Sequence, residues 1–390
     1  MDKNQAIDEL LNRTVSEVID KKHLEQVLKS GKKLRVKLGI DPTSPNIHIG
    51  RAVALWKLRA FQDLGHQVVF IVGDFTGIVG DTSDKDSERP MLDEKTVKAN
   101  MKTYTEQAFK ILDRKKTEVR YNSEWLKKLG FVEIAKMASL FGLHEFEARE
   151  VISRRMKDGK RVSLHEILYP LMQGYDSVAI EADVELGGTD QRFNLLAGRT
   201  IQPLYGQAPQ DILMGNLLEG TDGRKMSSSW GNVINITDEA NDMFGKVMSI
   251  NDELIIKYFE YATRIPMDEV KELEKKLKNG TNPRDIKKRL AEEVVTLYHS
   301  SKQAKAASAE WEKVFSNKEK PSEIQDVNVK SGNIIDVLVE TKLASSKSEA
   351  KRLIEQKGVK IDDAIATETS SVKSGDLIQV GKRKFVKIKR

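Results

Sequence analysis

The sequence predicts an α/β protein: a parallel sheet comes first, then a helical stretch, then a small basic α+β unit. Three observations carry this. Residues 34–40 (LRVKLGI) and 67–73 (QVVFIVG) are short β-rich runs, and a helical pattern from Ala52 to Leu64 separates them. Such a β-α-β unit favours a parallel sheet. From 237 to about 316 the apolar spacing is almost entirely helical. Residues 331–390 combine one capped helix with two terminal β runs.

At about 100–200 residues per domain, a chain of 390 residues holds two or three domains. The 39% apolar content is enough for a sizeable core. No apolar run approaches the ~18 residues of a membrane span, and the N-terminus MDKNQAIDEL carries no apolar signal region. Cysteine is absent, which excludes disulfides and thiolate metal sites. The six histidines show no H-x-x-x-H spacing, so no metal site is expected. These features describe a soluble cytoplasmic protein with no membrane partner. The net charge of +6 is uneven: residues 331–390 hold 13 Lys/Arg against 8 Asp/Glu. A basic terminal module on a nearly neutral body suits a polyanion such as nucleic acid, or else forms an ordinary solvated surface.

After the first β-α-β unit, helical segments cover about 93–112 and 131–157, and the segment 164–178 precedes a strand-like run, Ala182 to Leu186. A further apolar run, Asp211 to Leu218, leads into a glycine-bounded loop. The helical insertion lies at about 120–165. Pro266, Gly280 and Pro283 divide the helical stretch, and the polar segment 317–330 looks like a linker. Ser346 and Glu349 form an S-x-x-E capping box. The helix they start buries Ala350, Leu353 and Ile354, carries Lys347, Lys351 and Arg352 largely off that stripe, and ends at Gly358. Two terminal β runs follow, Leu377 to Val380 and Lys384 to Ile388, joined through Gly381.

Two segments carry chemistry. G-I-D-P-T-S-P-N-I-H-I-G-R, Gly39 to Arg51, sits where the first strand ends and a helix begins. Ligands bind at the carboxyl ends of strands in open α/β sheets, and a helix N-terminus attracts anions. His48 can donate to phosphate oxygens, and Gly50 lets a base or ribose lie against the backbone. G-T-D-G-R-K-M-S-S-S-W-G-N, Gly220 to Asn232, brackets a lysine and three serines with glycines, so Lys225 can lie over phosphates. Each alone is equally well a polar turn. No Gly-Lys-Ser/Thr occurs, so the loop is not a Walker loop.

Together, H-I-G-R and K-M-S-S-S in a β-α-β context resemble the class I aminoacyl-tRNA synthetases. G-D-F-T-G-I-V-G-D (Gly73–Asp81), Y-P-L-M-Q-G-Y-D-S (Tyr169–Ser177) and L-G-G-T-D-Q (Leu186–Gln191) narrow the resemblance to bacterial-type tyrosyl-tRNA synthetases. The segment S-S-K-S-E-A-K-R-L-I-E-Q-K-G-V is similar to a small RNA-binding fold shared with a ribosomal protein and pseudouridine synthases. The resemblance implies a Rossmann-like catalytic domain (1–230), an α-helical anticodon-side domain (231–320) and a C-terminal RNA-binding domain (331–390). It further implies L-tyrosine, ATP with Mg2+, and tRNA(Tyr) as partners, with a homodimer joined through the insertion.

The i, i+4, i+7 spacing of Tyr169, Gln173 and Asp176 puts all three on one helix face, unusually polar for a core. The resemblance implies that Asp176 accepts from the substrate phenol while Tyr169, Gln173 and Asp81 hold its ammonium group, with Gln191 at its polar end. It assigns Asp190 and Gly188 to the ATP ribose, and Thr43 and His48 to the triphosphate. The resemblance also implies that Lys85, Arg89 and Lys225 surround pyrophosphate and that Asp41, Gly50, Arg51, Met226, Ser227 and Ser228 complete the ATP site. Lys347, Lys351 and Arg352 are the expected tRNA contacts.

Three positions depart from the commonest family pattern. Arg51 stands where H-x-G-H ends in histidine, Ser228 replaces the second lysine of K-M-S-K-S, and Lys37 replaces a tyrosine that touches the substrate phenol. Lys37 therefore either pairs with Asp176 or the phenol, or turns away. Two other readings are a tryptophanyl synthetase, disfavoured by Asp176, and a catalytically silent RNA-binding relic, favoured only by Arg51.

Overall fold

The computed structural model describes residues 2–82, 91–315, 324–344, 346–381 and 384–389. The chain falls into two compact units, Met1–Glu239 with Lys246–Tyr298, and Ala240–Gly245 with His299–Arg390.

The first unit is built on six strands: β1 (Val15–Ile19), β2 (Arg35–Ile40), β3 (Gln67–Val72), β4 (Thr117–Tyr121), β5 (Val184–Gly188) and β6 (Asp211–Gly215). Their order is β1-β6-β5-β2-β3-β4. Every pairing is parallel except β1 with β6, which makes β1 an antiparallel edge. In β3 every residue after Gln67 is buried, as expected for a strand with helices on both faces. The chain runs outward through β2, β3 and β4, then returns to the other side of β2 for β5 and β6. This reversal opens a crevice at the carboxyl ends of β2 and β5.

Two helices deliver side chains to that crevice. Ile49–Asp63 follows β2 and starts at His48. Leu164–Ala179 starts at a reciprocal capping box between Ser163 and Glu166. Glu166 also pairs with Arg155, and both side chains are fully buried. The predicted insertion contains four short helices, Ser123–Leu126, Phe131–Ala138, Leu143–Glu147 and Glu150–Lys157. Phe131, Leu143 and Leu164 leave 85%, 61% and 78% of their surface exposed around it. The helical stretch is divided as expected. Pro266 precedes the helix Met267–Lys278, and Pro283 opens the helix Pro283–Tyr298.

In the second unit, β7 (Gln325–Asn328), β8 (Val359–Ile361), β9 (Ala364–Ile365), β10 (Leu377–Val380) and β11 (Lys384–Lys389) form a sheet ordered β7-β11-β10-β8-β9. Two helices, Ile334–Glu340 and Lys347–Glu355, cover a core that includes Ile334, Leu338, Ala350, Ile354, Val359 and Ile378. Two expectations need correcting. The segment read as a linker includes β7, which pairs in parallel with β11 from Gln325↔Val386 to Asn328↔Lys389. Only Val327 of that strand is half-buried, so no alternation announced it. The second correction concerns the helix end. Lys357, not Gly358, takes the left-handed turn at φ 56°, while the Gly358 N–H closes the helix on the Leu353 carbonyl at 2.9 Å. Ser346 does cap the helix start, accepting from the Glu349 N–H at 3.2 Å.

Candidate active site

The crevice holds a cavity of about 680 Å³, lined from the ends of β2, β3, β5 and β6. Asp41, Thr43, His48, Gly50 and Arg51 line it, as do Asp81, Tyr169, Gln173 and Asp176. So do Gly188, Asp190, Gln191, Lys225, Met226, Ser227 and Ser228. The predicted amino-acid face and the two predicted phosphate segments therefore open onto one space.

The deeper part is lined by the Leu164–Ala179 helix. Asp176 is 3% exposed. Trp125 Nε1 donates to its Oδ1 at 2.7 Å, and Asn122 Nδ2 donates to its Oδ2 at 3.2 Å. Burial pushes its carboxyl up to about 7, against the opposing pull of the Lys37 charge and of these two donors. Tyr169 Oη donates to Asp41 Oδ2 at 2.9 Å, and Thr76 Oγ1 donates to Asp41 Oδ1 at 2.7 Å. Asp41 occupies space that a side chain at Gly73 would fill, so glycine is required there. Burial, then the Asp41 and Asp81 charges, hold the Tyr169 phenol well above its ordinary range, so it stays a donor. Gln191 Nε2 reaches Asp81 Oδ2 at 2.5 Å.

The outer part belongs to the two loops. The His48 Nδ1 accepts from the Arg51 N–H at 3.3 Å, capping the helix and leaving the ring proton on Nε2. Burial, then the charges of Arg51 and Lys225, lower the imidazole to about 3, so His48 acts as a neutral donor. Arg51 is fixed by Tyr104 Oη at 2.5 Å and Thr43 Oγ1 at 3.2 Å. Lys225 Nζ lies 2.9 Å from Asp190 Oδ2, so the expected phosphate lysine rests on the expected ribose carboxylate. Gly188 leaves the space into which the Asp190 carboxylate turns. Asn232 shapes the loop: its Oδ1 accepts from the Ser227 N–H at 2.8 Å, and its Nδ2 donates to the Lys225 carbonyl at 3.1 Å. Ser228 Oγ reaches Ser44 Oγ at 3.4 Å.

Some expected residues lie elsewhere. Lys37 does not line the cavity. It is cross-strand neighbour to Glu185, and the two buried side chains pair at 2.9 Å. The sheet is covered on both faces, so turning away from the phenol still leaves Lys37 buried, where it needs an acid partner. Lys85 and Arg89 fall outside the described residues. Lys347, Lys351 and Arg352 are exposed at 71%, 54% and 65%, each facing an acid: Asp336, Glu368 and Glu349. Asn122, Trp125 and Tyr104 support the site but were not anticipated. Among the described residues, the group with metal-ligand spacing is Asp20, His23 and Asp211, whose ligand atoms lie within 4.8 Å of one another. None of the three lines the cavity.

The Asp176 pKa sets a sign for stability. Its folded value of about 7 lies above the ordinary 3.8. Its contribution to stability is therefore full below about pH 4 and is lost as pH rises through about 7. Asp176→Asn abolishes that loss. Denaturant titration should show the variant gaining on the parent by on the order of 2 kcal/mol between about pH 5 and about pH 8. A constant difference across that range would contradict the buried, titrating carboxyl.

Comparison with known proteins follows the same outline. Residues 29–316 match the family described as tRNA synthetases class I (W and Y), and residues 334–378 match the S4 domain. The tyrosine–tRNA ligase of Dehalococcoides mccartyi is 48% identical over 393 residues, covering 98% of this chain and 99% of its own length. That of Thermotoga maritima is 49% identical over 385 residues, covering 97% and 96%. Among solved structures, tyrosyl-tRNA synthetase of Archaeoglobus fulgidus complexed with L-tyrosine shares the fold, with a TM-score of 0.63 at 22% identity. It covers 79% of this chain and 100% of that one. A truncated mitochondrial tyrosyl-tRNA synthetase of Aspergillus nidulans gives 0.67 at 21% identity, covering 80% and 94%. By sequence, the chain belongs to the tyrosyl-tRNA synthetase family of class I aminoacyl-tRNA synthetases.

Proposed function

We propose that this chain activates L-tyrosine with ATP and transfers it to the 3′ end of tRNA(Tyr). The supporting observation is one cavity lined by the face of Tyr169, Gln173 and Asp176 and by the loops around His48 and Lys225. Asp176 accepts from the substrate phenol. Tyr169, Gln173 and Asp81 bind its ammonium group, and Gln191 meets its polar end. Asp190 takes the ribose hydroxyls beside Gly188. Thr43, His48 and Arg51 bind the triphosphate, and Lys225, Lys85 and Arg89 the departing pyrophosphate. Asp41, Gly50, Met226, Ser227 and Ser228 complete the wall.

The tyrosine carboxylate attacks the α-phosphorus, pyrophosphate leaves, and tyrosyl-adenylate stays bound. A terminal ribose hydroxyl of tRNA then attacks the activated carbonyl, the bond from that carbonyl to the phosphate oxygen breaks, and AMP leaves. The enzyme needs no nucleophile, because its contribution is positioning and charge stabilisation. Magnesium arrives on the ATP phosphates. Asp41 and Asp190, the two carboxylates assigned to the ATP site, are engaged by Tyr169 and Lys225, so we assign no protein cage for it.

The reading divides labour among a catalytic region (1–230), an anticodon-side region (231–320) and an RNA-binding region (331–390), working in the cytoplasm. No helix among the described residues is long and apolar enough to cross a membrane. The exposed apolar side chains around Phe131, Leu143 and Leu164 suit a homodimer face.

ATP–pyrophosphate exchange, run with tyrosine and tryptophan in parallel, tests the reading: exchange should depend on tyrosine. Lys225→Ala should slow exchange about 100-fold while tyrosine affinity, measured by calorimetry, stays within a factor of about two. Equal loss of both would remove Lys225 from the pyrophosphate role. Replacing Lys347, Lys351 and Arg352 together by Gln should weaken tRNA binding and flatten its log–log salt slope by about 2. Adenylate formation should be untouched. Phe131→Glu with Leu164→Glu should sediment as a monomer if those side chains form the dimer face.

A further inference from the structure

We propose that Lys37, through its buried pair with Glu185, is a positioning residue that sets the charge and orientation of the phenol-binding face and so governs preference for tyrosine over phenylalanine. This inference rests on the tyrosine reading above. Lys37 on β2 and Glu185 on β5 are register partners with side chains 0% and 1% exposed. A buried pair is poor as a source of stability, because desolvating two charges roughly cancels their attraction. Its surroundings point to a different role.

Lys37 Nζ donates to the Gln173 carbonyl at 2.8 Å and to Ser177 Oγ at 2.9 Å. Glu185 accepts from Gln173 Nε2 at 3.1 Å, from Ser177 Oγ at 3.1 Å and from Gln210 Nε2 at 2.5 Å. The pair thus grips the Leu164–Ala179 helix at Gln173 and Ser177, the residues on either side of the turn that carries Asp176. It fixes where the Gln173 amide and the Asp176 carboxylate point. The pair also sets charge. The groups acting on Asp176 are Lys37 from β2, Glu185 from β5, and the donors Asn122 and Trp125. Tyr169 lies on the same helix, and Arg120 of β4 stacks behind Trp125 at 5.3 Å. Among these, Lys37 is the cation whose charge favours the ionised Asp176. An ionised Asp176 can only accept, and a phenol can only satisfy it by donating. Phenylalanine brings no donor, so the buried carboxylate keeps Trp125 and Asn122 but loses the third hydrogen bond that would replace water.

The test uses the full chain carrying Lys37→Met, and separately Lys37→Met with Glu185→Gln, in which no buried charge is orphaned. ATP–pyrophosphate exchange is measured against pH at saturating ATP, with tyrosine and with phenylalanine, alongside thermal unfolding. In Lys37→Met the acid limb of kcat/KM for tyrosine should move up by about one pH unit. The tyrosine-over-phenylalanine ratio at neutral pH should fall roughly tenfold, with KM for ATP unchanged. The double variant should keep the parent melting temperature and show a smaller shift in the same direction with a raised KM for tyrosine. A folded double variant whose pH profile, KM for tyrosine and selectivity all match the parent overturns the proposal and leaves the pair purely structural. If the parent itself shows no tyrosine-dependent exchange, the tyrosine reading fails first and takes this inference with it.

Discussion

The site depends on keeping carboxylates at the carboxyl edge of a parallel sheet, where helices and strands exclude water. Each acid on the cavity wall has a fixed donor. Tyr169 and Thr76 hold Asp41, Trp125 and Asn122 hold Asp176, Gln191 holds Asp81, and Lys225 holds Asp190. Without such partners a buried acid takes up a proton or drives local rearrangement. With them, the acids keep defined positions before any substrate arrives, and a polar face survives inside a well-packed fold.

The two ends of the cavity are organised differently. The deep end is rigid: its acids are held by neutral donors from packed elements, and the Lys37–Glu185 layer lies directly beneath. The outer end is held by its own charges, since Lys225 and Asp190 neutralise each other at 2.9 Å with both side chains partly exposed. Binding at the deep end asks little reorganisation of the protein. Binding at the outer end exchanges one ion pair for contacts to ribose and phosphate, so the loop Gly220–Asn232 must readjust as nucleotide enters. His48 takes no part in that exchange of charge, because its imidazole is neutral throughout the working pH range.

Much of this was legible in the sequence, for reasons that differ by element. β3 stood out as a continuous apolar run because helices cover both faces of the sheet, while β2 and β5 read as short strand-like runs that also carry Lys37 and Glu185. The polar face of Tyr169, Gln173 and Asp176 stood out because helical spacing is fixed. β1 and β7 did not, being short edge strands with few fully buried residues. Nor did Tyr104, Asn122 and Trp125, whose partners lie 53, 54 and 51 residues away along the chain. No local pattern encodes such meetings. For Lys37 the sequence left two options, because alternation along a doubly covered strand does not reveal which layer a residue enters. Its opposite number, Glu185, became visible only once β2 and β5 were neighbours.

The parallel pairing of β7 with β11 bears on where the chain can be divided. β11 lies between β7 and β10, so its backbone is hydrogen-bonded on both sides. A fragment begun at residue 331, the boundary suggested by composition, would strip one side of β11 and expose a row of amide and carbonyl groups along Val386–Lys389. Open edges of that kind invite pairing with other chains. Gln325–Asn328, within the polar stretch that resembles a tether, is therefore the outer stave of the terminal sheet, and a self-contained version of that module must include it.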